Sequence, residues 1–204
     1  MSTSEDVTRI EQVILHERQG RDRGRWAQMR AAFAPDSRVN LSWYTGDGPG
    51  FVTGSERMSA QGDYAVHRLS PPVVHTRGDR AIAEVSCGVE FQIRIGDVPA
   101  HLVSYTRLNY RLTKSDGRWQ VREMDAIYER DTLTPAFPGD TVNVTSSDTA
   151  GFRTSYALLT YYLRSKGYSI GDDLLGDDRP ERVQAFYDET LEWLDAAQDT
   201  SQPG

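Results

Sequence analysis

Between residues 73 and 128 apolar side chains recur at every second position through consecutive segments, and this alternation restricts that part of the chain to a sheet with one buried face. The longest segment shows it best: Ala81, Ala83, Val85, Cys87, Val89, Phe91 and Ile93 alternate with Glu84, Ser86, Glu90, Gln92 and Arg94. Turn residues separate the segments at Arg77-Gly78-Asp79, Gly96-Asp97 and Ser115-Asp116-Gly117. The pattern predicts four strands over 73–75, 81–95, 101–113 and 119–128, joined as an antiparallel meander. The apolar face of such a sheet needs a cover, and only helices elsewhere in the chain can supply it. The expected fold is therefore α+β in layers, with a pocket wherever the sheet curls around its helices.

The first candidates for that cover lie at the N-terminus. Thr8 or Ser4 caps a helix whose apolar stripe is Ile10, Val13 and Ile14, Glu11 completes a capping box with Thr8, and the helix ends around Gly20. A second helix is predicted over 23–33, with Trp26, Met29, Arg30 and Phe33 spaced three and four apart and Pro35 as the stop. Asp22 falls where the two meet. Val39, Leu41 and Trp43 then alternate with Asn40, Ser42 and Tyr44 as a strand. Gly46, Gly48, Pro49 and Gly50 break it and read as a loop; the spaced glycines lack the strand-to-helix context of a phosphate site. A short helix over 55–64 precedes His67, which heads the next strand.

Pro135, Pro138 and Gly139 end the sheet, and residues 141–149 read as a linker or surface loop. Two amphipathic helices follow. One spans 154–166 with Tyr156, Leu159, Tyr162 and Leu163; the other is capped by Asp178, has Pro180 in its first turn and carries Val183, Phe186, Tyr187, Leu191 and Leu194. Two short helices share too little surface for a core of their own, so residues 154–197 are expected to pack on the sheet unit or across a subunit boundary. The division expected is 1–140 for the sheet unit and 141–204 for the linker and helical extension, with residues 1–4 disordered.

A net charge of -7 and a pI near 5.1 oppose attraction to phosphate, which argues against nucleic acid and anionic membranes as partners. Cys87 is the only cysteine and has no internal disulfide partner. No apolar run approaches the roughly 20 residues of a bilayer span, and the N-terminus lacks a leader pattern, so a cytoplasmic protein is expected. No H-x-x-x-H or C-x-x-C pattern points to a metal, and His75 lies roughly 26 Å from His67 along an extended chain. The expectation is a site without metal or organic cofactor.

Asp22 and His67 are the residues with chemistry to offer. A neutral imidazole takes a proton, and a buried carboxylate on its other nitrogen fixes the tautomer and stabilises the imidazolium that forms. The plainer alternatives are a helix cap for Asp22 and a loop-end histidine for His67. Arg18, one turn before Asp22, reads as solvating the helix, with the cavity as its other destination.

The order helix, Asp22, Gly24-x-Trp26, Phe33-Ala34-Pro35-Asp36, strand, His67 and meander resembles the nuclear transport factor 2-like superfamily, in its SnoaL-like branch, over roughly residues 8–135. The resemblance implies a cone: a curved mixed sheet wrapped around N-terminal helices, here with a C-terminal two-helix extension. Scytalone dehydratase and hexachlorocyclohexane dehydrochlorinase are the most useful likenesses, and Asp22 and His67 fall on their acid and histidine. That implies catalysis by Asp22 and His67, with Trp43, Met124 and Tyr128 as pocket walls and Tyr128 as the better candidate to orient a substrate. The substrate-orienting residues of the dehydratase have no counterparts here: Arg21 precedes Asp22, and Leu41, Thr106 and Leu108 fall near the other positions. The implied activity is a cofactor-independent lyase or isomerase of secondary metabolism. It would act as a homodimer or homotrimer on a medium-sized, apolar, oxygenated molecule. The alternatives are a polyketide-type cyclase using the acid alone and a non-catalytic ligand-binding or assembly module.

Overall fold

The computed structural model describes residues 4–196. The expected disorder of residues 1–3 and the extension's end at Ala197 therefore lie outside the described residues; Ser4, expected to be disordered with them, already opens the first helix. That helix, α1 (Ser4–Arg23), runs past Gly20 and buries Ile10 and Ile14 completely. Gly24, in the left-handed region at φ 64°, ends it, and the short α2 (Trp26–Ala31) follows with Arg25 at its N-cap. Asp22 is thus in the last turn of α1 and does not cap a second helix.

Phe33 opens a strand, not the end of a helix: β1 (Phe33–Leu41) runs parallel to the last meander strand, and an irregularity between Phe33 and Arg38 absorbs Pro35. The hairpin strand β2 (Tyr44–Asp47) follows, and α3 (Gly48–Ala60) starts seven residues earlier than the sequence suggests. The loop expected at Gly46 to Gly50 is in fact a strand end and a helix start. Asp47 caps α3 by accepting a hydrogen bond from the Gly50 N–H at 2.6 Å, and Pro49 occupies the first turn, where its missing N–H does no harm. Gly48 is required there: a Cβ would fall 2.4 Å from Ser37 Oγ and 2.7 Å from Phe33.

The meander is β4 (Val73–Arg77), β5 (Arg80–Ile95), β6 (Val98–Ser115) and β7 (Arg118–Pro135), preceded by β3 (Ala65–Leu69). The expected strands are present and longer at their ends. Both β3 and β4 pair with β5, one after the other, and the sheet order is β2-β1-β7-β6-β5-β3. Along β5, Ala81, Ala83, Val85, Cys87, Phe91 and Ile93 are buried in the core while Gln92 and Arg94 are exposed, as the alternation requires. Bulges in β7 opposite the Tyr105/Thr106 and Arg111/Leu112 steps of β6 bend the sheet around its helical filling. The class is α+β with a curved mixed sheet.

The extension joins the same core. A 3-10 turn leads into α4 (Ala157–Ser165), whose Leu159, Tyr162 and Leu163 are buried at the open end of the sheet, with the Tyr162 ring tilted against Phe91 at a centroid distance of 5.4 Å. A two-residue strand, β8 (Leu175–Gly176), adds to β7 in parallel. Then α5 (Pro180–Asp195) lies on the outer sheet face, where the Tyr187 hydroxyl donates to Glu84 at 2.5 Å and Arg111 donates to Thr190. Its N-cap is Arg179; Asp178 is instead occupied by Arg153 and Ser155.

Candidate active site

Asp22 and His67 meet, although 45 residues separate them, because the last turn of α1 packs beside β3. Asp22 Oδ1 lies 2.6 Å from His67 Nδ1, and Oδ2 accepts the His67 backbone N–H at 2.9 Å. The side chains are only 12% and 8% exposed. An ionised carboxylate only accepts, so Nδ1 carries the imidazole proton and Nε2 keeps its lone pair. The group facing Nε2 agrees: Arg18 Nη1, which only donates, sits 3.2 Å away.

Arg18 is not a solvated residue. It is 3% exposed, its Nε and Nη2 both donate to the fully buried Glu17, and its guanidinium lies 5.7 Å over the Phe51 ring. Burial opposes its charge, but Glu17 more than restores it and holds the pKa above the ordinary arginine value. Neither Glu17 nor the pairing was legible in the sequence, because neighbours at i and i+1 do not share a helix face. The only signal was an arginine on the core side of a helix, one turn from the acid.

These charges set the protonation states. Burial, then the positive charge of Arg18, pushes His67 down to about 4, against the opposing pull of Asp22. Burial works against ionised Asp22 as well, but its hydrogen bonds and charge contact with His67 outweigh burial and hold it below the usual carboxylate range. At neutral pH the dyad is a neutral imidazole on a carboxylate.

The dyad opens onto a cavity of about 50 Å³. Arg18, Arg21 and His67 supply its polar wall; Trp43, Phe51, Phe91, Leu108, Tyr128 and the roof residues Leu159 and Leu163 supply much of the rest. Trp43 and Tyr128 stand on the lining. The Tyr128 hydroxyl is already engaged, accepting the Ser42 backbone N–H at 2.8 Å. Met124 is not on the lining: it sits one pleat deeper, opposite Tyr110, with its Sδ 4.0 Å from Arg18. Alternation along β7 brought Met124, Ala126 and Tyr128 to one face but could not say how far the filling of the cone reaches. Among the described residues no group of three or more His, Cys, Asp and Glu side chains is placed to hold a metal ion.

A curved sheet closed over an apolar cavity with a buried polar wall defines a small-molecule pocket protein. Residues 2–125 match the SnoaL-like domain, and the chain belongs to that family. A PEP2-like protein of Fusarium vanettenii is 22% identical over 189 residues, covering 87% of this chain and 81% of its own, a span that includes part of the extension. Among solved structures, a putative scytalone dehydratase from Novosphingobium aromaticivorans aligns with a TM-score of 0.51 at 15% identity, over 68% of this chain and 92% of its own. A type 2 hexachlorocyclohexane dehydrochlorinase aligns with a TM-score of 0.53 at 12% identity, over 65% and 94%.

Proposed function

We propose that this protein is a lyase or isomerase in which His67 Nε2 abstracts a proton from an oxygenated organic substrate while Asp22 holds the imidazole and stabilises its charged form. The observation that carries the reading is the setting of one ring: Nδ1 bound to a buried carboxylate, on an imidazole that lines an apolar cavity. Arg18 shares Nε2 in the free protein, so a substrate must displace that contact before the proton moves. The names of the two structural neighbours, a dehydratase and a dehydrochlorinase, support elimination chemistry. The cyclase reading loses ground because both Asp22 oxygens already bond to His67.

Substrate size is set by the roof. A cavity of about 50 Å³ is well below the ~150 Å³ that takes up a benzene, so a medium-sized substrate needs the lining to yield, and Leu159 and Leu163 of α4 are part of that lining. The test is hydrogen–deuterium exchange at the acidic C–H of a panel of carbon acids, followed by proton NMR. His67→Ala and Asp22→Asn are each expected to lower exchange by about 100-fold or more, with unchanged circular dichroism. Parent-like exchange in either variant would remove the dyad from the reaction.

A further inference from the structure

We infer that Arg21 is the ligand-binding cation of this cavity and that the molecule it takes carries an oxyanion, a carboxylate, phenolate or enolate oxygen on an organic framework. The inference deepens the proton-abstraction reading of the same cavity and rests on it for the fate of the substrate, though not for its binding.

Two guanidinium groups stand on one cavity wall, and they are not equivalent. Arg18 is neutralised by Glu17 through two of its three nitrogens. Arg21 is 5% exposed and makes no ion pair; its one hydrogen bond among the described residues goes from Nη2 to the Met58 Sδ at 3.1 Å, a weak acceptor. The carboxylates that act on its charge, Asp22 and Glu17, direct their hydrogen-bonding oxygens to other donors. Asp22 has given both oxygens to His67, and Glu17 is held by Arg18. Burial, then the like charge of Arg18, pushes Arg21 down to about 10 against the opposing pull of Asp22 and Glu17, so it is still a cation at neutral pH.

Asp22 and Glu17 balance the charge from nearby but accept none of its N–H groups, and a buried guanidinium short of acceptors is unfavourable, so proteins retain one where something else supplies them. The guanidinium fork fits a planar oxyanion through two parallel N–H bonds. Because Arg21 and His67 line the same cavity, an oxyanion on Arg21 would place the rest of its molecule against the base. It would also offset the positive charge that weakens that base: Arg18 and Arg21 are the cations acting on His67, and Asp22 is the anion.

The test uses the full chain, labelled with nitrogen-15, titrated with acetate and benzoate and with the neutral counterparts acetamide and benzamide. At least one carboxylate is expected to bind about tenfold more tightly than its amide and to shift the His67 ring signals. Arg21→Met is expected to abolish that preference while leaving the ligand-free melting temperature equal or higher, since it removes a buried guanidinium whose one acceptor among the described residues is a thioether. Arg21→Lys, which keeps the charge without the fork, supplies the binding measurement should Arg21→Met not fold; it should bind carboxylate about tenfold more weakly. Binding of acid and amide alike, binding of neither, or a substantial loss of melting temperature in Arg21→Met with binding retained would each show a merely structural arginine. The His67→Ala variant separates the two readings. Carboxylate binding retained with exchange lost supports both, whereas exchange retained removes the base and leaves the oxyanion site standing.

Discussion

An imidazole that stays neutral down to about pH 4 is available as a base across the physiological range, but its basicity falls by the same shift. Titration of His67 by NMR should therefore show no protonation between pH 6 and 8. A midpoint near the ordinary value of about 6.5 would contradict the buried, cation-flanked environment described above. The stability consequence has a definite sign. His67 binds its proton less well folded than unfolded, and Asp22 likewise, so both contribute stability that is present at neutral pH and lost as pH falls through about 6.5 and below. Replacing His67 with Gln should flatten that part of the profile. Periodicity places Asp22 and His67 at the ends of a helix and a strand, and it is the resemblance to the SnoaL-like branch that singles them out as a pair. Arg18 and Arg21 were misjudged or passed over because arginines on a helix are usually solvated, and only the depth of the cavity shows otherwise.

At the scale of elements, the roof depends on a long-range cap. Helix α4 has no side-chain cap of its own; instead Asp131 of β7 accepts the Leu159 N–H at 2.9 Å. Burial pushes Asp131 up to about 6. Here the sign is opposite to that of the dyad: the folded state holds this proton more tightly, so stability falls as pH rises from about 4 through 6. Asp131→Asn keeps an acceptor and removes the charge, and should raise stability at pH 7.5 by about 1 to 2 kcal/mol while changing little at pH 4. Thermal melts at the two pH values check this; a destabilised Asn variant at pH 7.5 would count against it. Leu159→Ala should lower stability by about 2 to 4 kcal/mol and enlarge the cavity, measured as uptake of benzene that the parent excludes. Amphipathic periodicity showed that α4 and α5 must pack somewhere, but the surface each would find depends on the bend of a sheet distant in sequence. The start of α3 was missed for a local reason: Gly-Pro-Gly looks like a breaker until Asp47 is seen to cap it.

For the whole molecule, the sheet unit and extension share one hydrophobic cluster, with Tyr156, Leu159, Tyr162, Leu163 and Ile170 buried among strand residues. We propose that removing residues 150–204 leaves a less stable protein, because Phe91, Tyr128 and the cavity wall lose their cover. A truncated protein with the parent melting temperature and solubility would show the extension to be dispensable. Sedimentation of both forms tests the homodimer or homotrimer in the same experiment.

The roof over the cavity has a consequence in time as well as in space. Asp22 and His67 are synthesised well before Leu159 and Leu163, and the strands that shape the wall come between them. At roughly 5 to 20 residues per second the nascent chain can assemble a cone whose mouth is still uncovered for several seconds. During that interval the charged wall and the apolar lining face water together. A ligand that enters before α4 arrives meets no roof to displace, so filling the cavity during synthesis and filling it afterwards are kinetically different events.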